Sequence, residues 1–371
     1  MAARTDAALD HPLNRDFSAS LNLVRVAAAM TVFLAHATQL HLAPAILSIQ
    51  ASDVGHSAVI VFFVLSGYVI AGGAARTDSL GGYTAARLAR VYSVAVPAIL
   101  LTGAIDLYLL AHGHGDGIPV YQLRAAFKYV PMFLTFTTDS WHMTESVFSN
   151  TPYWSLSYEV WYYALLGAFM FVRGPWRWVL VGLTLAAMGP RLWLLFPVWL
   201  IGVVVWATHR RTSLAVPAAR VLGLGSVLGL VLIKQLGVEA WLNAGVDALA
   251  ADWHANLRFS RWFLGDYAIG LCTGGAILGL RDAGIIFPRW IRTSATAGAG
   301  VSFSLYLTHL PLLRLLAFLL PGWPAVALVA ALGAAVAFGV TFEPRRHWLR
   351  RRLAEWLSVL PVAMRVRAAP K

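Results

Sequence analysis

Charge and cysteine are scarce in this sequence, and each scarcity excludes something. Only 12% of the 371 residues are Asp, Glu, Lys or Arg. A soluble domain carries about twice that share, because a water-facing surface needs it. Acidic residues are the scarcest: 17 stand against 29 Lys and Arg, for a formal net charge of +12. The sequence pI is about 10.2. Nucleic-acid binding would need basic clusters on a soluble face. Here the arginines fall between apolar runs, so no nucleic acid is expected as a partner. The single cysteine, Cys272, sits inside an apolar run. No intrachain disulfide is possible, no cysteine-based metal site is expected, and no metal is indicated. P-loop, Rossmann and nucleophile-elbow patterns are absent, as is an internal repeat of the transporter kind.

What is abundant is apolar sequence: 59% of residues are hydrophobic and the mean hydropathy is +0.67. The fold expected is an all-α polytopic membrane protein. A span needs roughly 17–25 residues. About ten candidates satisfy or approach that length, at 22–40, 56–73, 92–111, 154–172, 178–190, 192–208, 221–238, 262–280, 298–320 and 323–342. The fifth and sixth are short, parted only by Gly189, Pro190 and Arg191. They read as two short helices or one broken one.

Loop charge orients these spans. With the N-terminus in the cytoplasm, 21 Lys and Arg fall inside and 5 outside (Arg124, Lys128, Arg191, Arg258 and Arg261). The positive-inside rule therefore predicts both termini in the cytoplasm. The domain plan is a cytoplasmic segment at 1–20, a membrane domain at 21–342 and a basic tail at 343–371. The polar start does not read as a cleaved signal peptide. The tail reads as an amphipathic basic helix on anionic lipid. Two long outside loops, 112–153 and 239–261, carry His, Trp and acidic residues suited to a sugar-like acceptor or to the interfacial aromatic belt.

An ionisable residue inside a membrane helix is costly and marks a candidate site. In the first span Arg25 and His36 are eleven residues apart. That spacing returns to within about 20° of one face, about 16 Å further along. Histidine can take and return a proton near neutral pH, and arginine suits phosphate. Ser66 and Gly67 interrupt a bulky run, allowing close approach of a helix or a ligand. Arg87 and Arg90 share a face at i,i+3; they either bind phosphates or simply follow the topology. Glu159, with Ser155 one turn before it, would be expensive to bury unpaired. Asp266 lies near the outer surface and reads as interfacial. His309 lies mid-span beside Pro311, which can free backbone carbonyls next to it. Glu343 reads as a cap paired with nearby arginines.

These residues, in order, resemble the membrane-bound acyltransferase-3 family, bacterial O-acyltransferases of surface polysaccharide, lipopolysaccharide and related glycans. The likeness rests on Arg25 to His36, on FFVLSGY at 62–68, on Arg87 and Arg90, and on WSLSYE at 154–159, supported by SLYLTH at 304–309. It covers roughly residues 20–345. The resemblance implies transfer of an acyl group, acetyl by default, from cytoplasmic acyl-coenzyme A to a hydroxyl of an extracytoplasmic glycan or glycolipid. It implies a multi-pass protein of the bacterial cytoplasmic (inner) membrane, with acyl-coenzyme A as donor substrate and no permanent cofactor. His36 would then be catalytic, with Glu159 as the acidic residue of the fourth span. Arg25, Arg87, Arg90 and Ser66 would serve the donor. Further candidates are His309, Asp266, Trp154 and Ser155. Two departures stand out: Ala58, Val59 and Ile60 carry no acid where members often have Gly-Val-Asp, and the SGNH-type hydrolase domain that some members carry is not expected here. From the residues alone, a transporter or flippase of a lipid-linked sugar or small metabolite remains the rival reading.

Overall fold

The computed structural model describes residues 15–43 and 51–358. Arg4, Arg365, Arg367 and Lys371 of the topology argument lie outside them. The described residues are mostly helical, with no sheet among them. The first helices are α1 (Arg15–Gln39), α2 (Ala51–Ala74) and α3 (Leu80–Ala111). Short α4 (Val120–Arg124) and α5 (Ala126–Thr135) follow in a long connection. Then come α6 (Trp154–Phe171), α7 (Pro175–Met188), α8 (Pro190–His209), α9 (Val216–Gln235), α10 (Val238–Ala255) and α11 (Phe263–Asp282). The chain closes with α12 (Arg289–Leu319), α13 (Pro324–Phe342) and α14 (Arg345–Ser358).

Eight helical segments among the described residues are long and apolar enough to cross a membrane. The chain is an all-α polytopic membrane protein. The two further spans expected from sequence, α6 and α7, fall short of those criteria for different reasons. The opening turns of α6 read WSLSYE, which lowers its hydropathy. The 14 residues of α7 extend only about 21 Å against a hydrocarbon core of about 30 Å. Residues 178–208 form two helices rather than one broken helix. Gly189 separates them with φ at +79°, a left-handed conformation that favours glycine.

The chain divides into two compact units. The first contains the start of α1 to Ala28, Ser57–Gly73 and Trp193–Ala299. Within it, small residues let helices approach closely. A Cβ on Gly67 would lie 2.0 Å from the Trp199 carbonyl, and one on Gly202 would lie 2.0 Å from that of Val64. On α9 and α11, Gly223, Ser226 and Gly229 face Gly279, Gly275 and Cys272. Cys272 is thus a packing residue.

The second unit contains Ala29–His56, Ala74–Leu192 and the chain from Gly300. Here α3 packs against α6, α13 and α14, and α6 packs against α7. Buried polar groups fasten the connection after α5. Asp106 of α3 accepts from the backbone N–H and the hydroxyl of Ser149, at 2.9 and 2.6 Å. Gln122 donates to Glu145 (2.8 Å) and to the Ser146 carbonyl (3.0 Å), and accepts from the Phe148 N–H (2.9 Å). Pro311 lies inside α12 without ending it. A proline there removes the N–H that the Leu307 carbonyl would use. Asn150 fills the gap: its amide donates to Leu307 O at 2.7 Å. The freed carbonyl anticipated beside His309 therefore exists and holds the loop.

Candidate active site

Two histidines meet in the second unit. His36 stands in the last turn of α1 and His309 in the middle of α12. His309 Nε2 lies 3.1 Å from His36 Nδ1. The ring centroids are 4.9 Å apart at 58°. His309 is buried, and Phe33 packs edge-on against it. His36 is only half-buried.

Hydrogen bonding sets the tautomers. His309 Nδ1 faces the carbonyls of Tyr306 (2.7 Å) and Leu305 (3.1 Å). Only a ring N–H satisfies a carbonyl, so Nδ1 carries the hydrogen and Nε2 the lone pair. His36 Nδ1 then faces two acceptors, that lone pair and the Val32 carbonyl at 3.0 Å. It too carries a hydrogen. His36 Nε2 is left with the lone pair, and no described residue hydrogen-bonds it. A nitrogen in that state can accept a proton, and the resulting imidazolium keeps its Nδ1–H on His309.

The entry to α6 closes in on the same region. Tyr306 donates to the Pro152 carbonyl (2.9 Å) and accepts from the Ser155 hydroxyl (2.7 Å). Trp154 stacks on His56 at 5.8 Å and 10°. Glu159 is half-buried, accepts from the Tyr163 hydroxyl at 2.8 Å, and lies within electrostatic range of Tyr306.

Arg87 and Arg90 form a second cluster in this unit, toward the start of α3. The Arg87 guanidinium lies 5.7 Å from the Tyr83 ring centroid, and that of Arg90 lies 5.5 Å from Phe303. Arg87 Nε is buried without a hydrogen-bond partner among the described residues. Arg87 also lines a cavity of about 280 Å³ with Tyr83, Val91, Tyr163 and Thr184. Phe303 is six residues before His309, about 9 Å along α12, which sets the separation between the arginine level and the histidine pair.

Thus His36, His309, Trp154, Ser155, Glu159, Arg87 and Arg90 share one unit. Arg25, Ser66 and Asp266 belong to the other. Ser66 accepts from the Trp199 indole at 3.3 Å and is part of the α2–α8 packing. Asp266 is fully buried. Glu343 is buried, accepts from the Ser304 N–H and hydroxyl at 3.1 Å each, and pairs with Arg346 at 3.6 Å. Sequence reasoning passed over Tyr306, Asn150 and His56. Pro311 was the available signal for Asn150, because a proline in a membrane helix demands a donor from elsewhere.

Fold and site together define a polytopic membrane protein with a histidine pair set among its helices. The chain belongs to the acyltransferase-3 family: residues 18–343 match the family's acyltransferase domain. Acyltransferase MdmB of Streptomyces mycarofaciens is similar, at 33% identity over 152 residues. That match covers 39% of this chain and 37% of the relative, so the chain spans little more than a third of the relative's length. No solved structure matches it.

Proposed function

We propose that the protein transfers an acyl group, acetyl by default, from cytoplasmic acyl-coenzyme A to a hydroxyl of an extracytoplasmic glycan or glycolipid, at the bacterial cytoplasmic membrane. The observation that carries this reading is the unclaimed His36 Nε2, backed by His309. The acceptor hydroxyl gives its proton to His36 Nε2 as its oxygen attacks the thioester carbonyl carbon. The tetrahedral intermediate collapses by breaking the carbon–sulfur bond. The departing thiolate takes the proton back from His36. An ester and a free thiol result, and no acyl-histidine is formed. His309 holds the His36 ring, as a ligand's carbonyl or carboxylate partner does in metal and triad sites. Glu159 orients the acceptor. Arg87 and Arg90 hold donor phosphates, for which guanidinium pairs are suited.

Membership of an acyltransferase family favours this over the transporter reading. The test is purified protein with radiolabelled acetyl-coenzyme A and a surface-glycan extract. Label should pass to glycan with wild-type protein and stay in the thioester with His36→Ala. Full turnover by that variant would sink the assignment.

A further inference from the structure

The last described helix adds two arginines to the pair on α3. We infer that α14 supplies half of a polyphosphate site, with Arg346 and Arg350 completing the anion-binding face begun by Arg87 and Arg90. This rests on the reading of acyl-coenzyme A as donor. It extends beyond the family match, which ends at residue 343.

The helices run antiparallel at this point. α14 packs along α3, and a Cβ at Gly81 would lie 3.9 Å from Leu357 Cβ. Moving up α3 and back along α14, Arg350 comes within electrostatic range of Arg87, and Arg346 within range of Arg90. Arg346 is fixed by Glu343 at 3.6 Å, and Glu343 holds Ser304, next to the Phe303 ring under Arg90. Four arginines therefore line the α3–α14 contact, and one carboxylate, Glu343, pairs with one of them, Arg346. Among the described residues, Glu343 is the only acid that ion-pairs with any of the four. Arg87 Nε is buried and unpartnered beside them.

Like charges on neighbouring helices repel, and the buried Arg87 Nε lacks the acceptor it needs. A ligand with two or more phosphate groups supplies both charge and acceptors, in the geometry guanidinium forks match. The headgroup of an anionic lipid offers related chemistry. The soluble donor is favoured because Arg87, whose Nε is buried, lines a cavity within the unit rather than the exposed side of α14. On that outer side stand Trp348, Trp356 and Arg352, the last paired with Glu355 at 3.6 Å.

The experiment uses the full-length protein in nanodiscs of zwitterionic phosphatidylcholine, with coenzyme A as the probe in an equilibrium binding measurement. Arg346→Gln and Arg350→Gln should each weaken binding about tenfold, as loss of a charge-assisted hydrogen bond does. Arg352→Gln removes the same charge from the outer face and should leave binding unchanged. Arg350→Lys should fold and bind with intermediate affinity, separating lost contact from lost structure. Wild-type affinity in both Gln variants overturns the inference, and if Arg87→Gln still weakens binding about tenfold or more, the donor reading itself survives. An effect seen only after anionic lipid is added assigns the arginines to headgroups and likewise overturns it. No coenzyme A binding by wild-type protein removes the donor reading, and this inference with it.

Discussion

His309 presents Nε2 to His36 Nδ1 at 3.1 Å while its own Nδ1 is spent on the Tyr306 carbonyl. One ring is thereby made the fixed acceptor for the other. The two histidines are unequal, and substitution should tell them apart. Replacing His36 with Ala should lower turnover by about 10²–10⁴-fold, the usual worth of a general base. Protein recovered from the membrane fraction should be unchanged, and the label-transfer assay reads both.

His309 acts through its neighbour. His309→Ala should lower kcat by roughly 10–100-fold, the range for outer partners of a functional histidine, with KM for the donor little changed. His309→Gln retains an acceptor oxygen and should recover part of the rate. Equal rates for the Ala and Gln variants would reduce His309 to packing.

Asn150 and Pro311 form a compensating pair. Asn150→Ala leaves the Leu307 carbonyl without a donor and should cost about 1–3 kcal/mol. Pro311→Ala restores a backbone N–H to that carbonyl. The double variant should therefore be more stable in detergent than Asn150→Ala alone. Thermal unfolding of the four members of the cycle measures the coupling, and strict additivity would contradict it.

Gly67 and Gly202 make the closest helix approach in the first unit. A methyl at either would sit 2.0 Å from a backbone carbonyl, and backbone yields little. Gly67→Ala should destabilise by about 1–3 kcal/mol, as overpacking does. Gly225→Ala, where a Cβ meets nothing within 4 Å, should be harmless or stabilising. Protease resistance in membranes distinguishes them.

Arg87→Gln and Arg90→Gln should each raise the donor's dissociation constant about tenfold or more, the cost of losing a charge-assisted bond. Unchanged affinity in both would leave these residues as topology signals only.

Much of this was legible in the residues. Hydropathy alone marks α1–α3, α8, α9 and α11–α13, because a lipid solvent forces long apolar helices. It marks α6 and α7 only weakly, because Ser155, Ser157 and Glu159 lower the hydropathy of α6 and the 14 residues of α7 are short for a span. His36, Glu159, Arg87 and Arg90 stood out because charge inside lipid is costly. The meeting of His36 with His309 did not, since residues 273 apart carry no periodic signal of contact. Ser66 left packing and ligand contact both open, because a small polar residue serves either purpose. Its indole partner, Trp199, was 133 positions away.

The bond between Asn150 and Leu307 also has a bearing on biogenesis. A bare carbonyl facing acyl chains is a standing penalty, so α12 cannot reach its final state until the loop carrying Asn150 is seated. That loop is translated 157 residues earlier. The receptor for the helix is thus made before the helix that needs it. Maturation of the histidine pair and closure of the bundle become a single event, and a nascent chain that inserts without docking this loop should be recognised by quality control as unfinished.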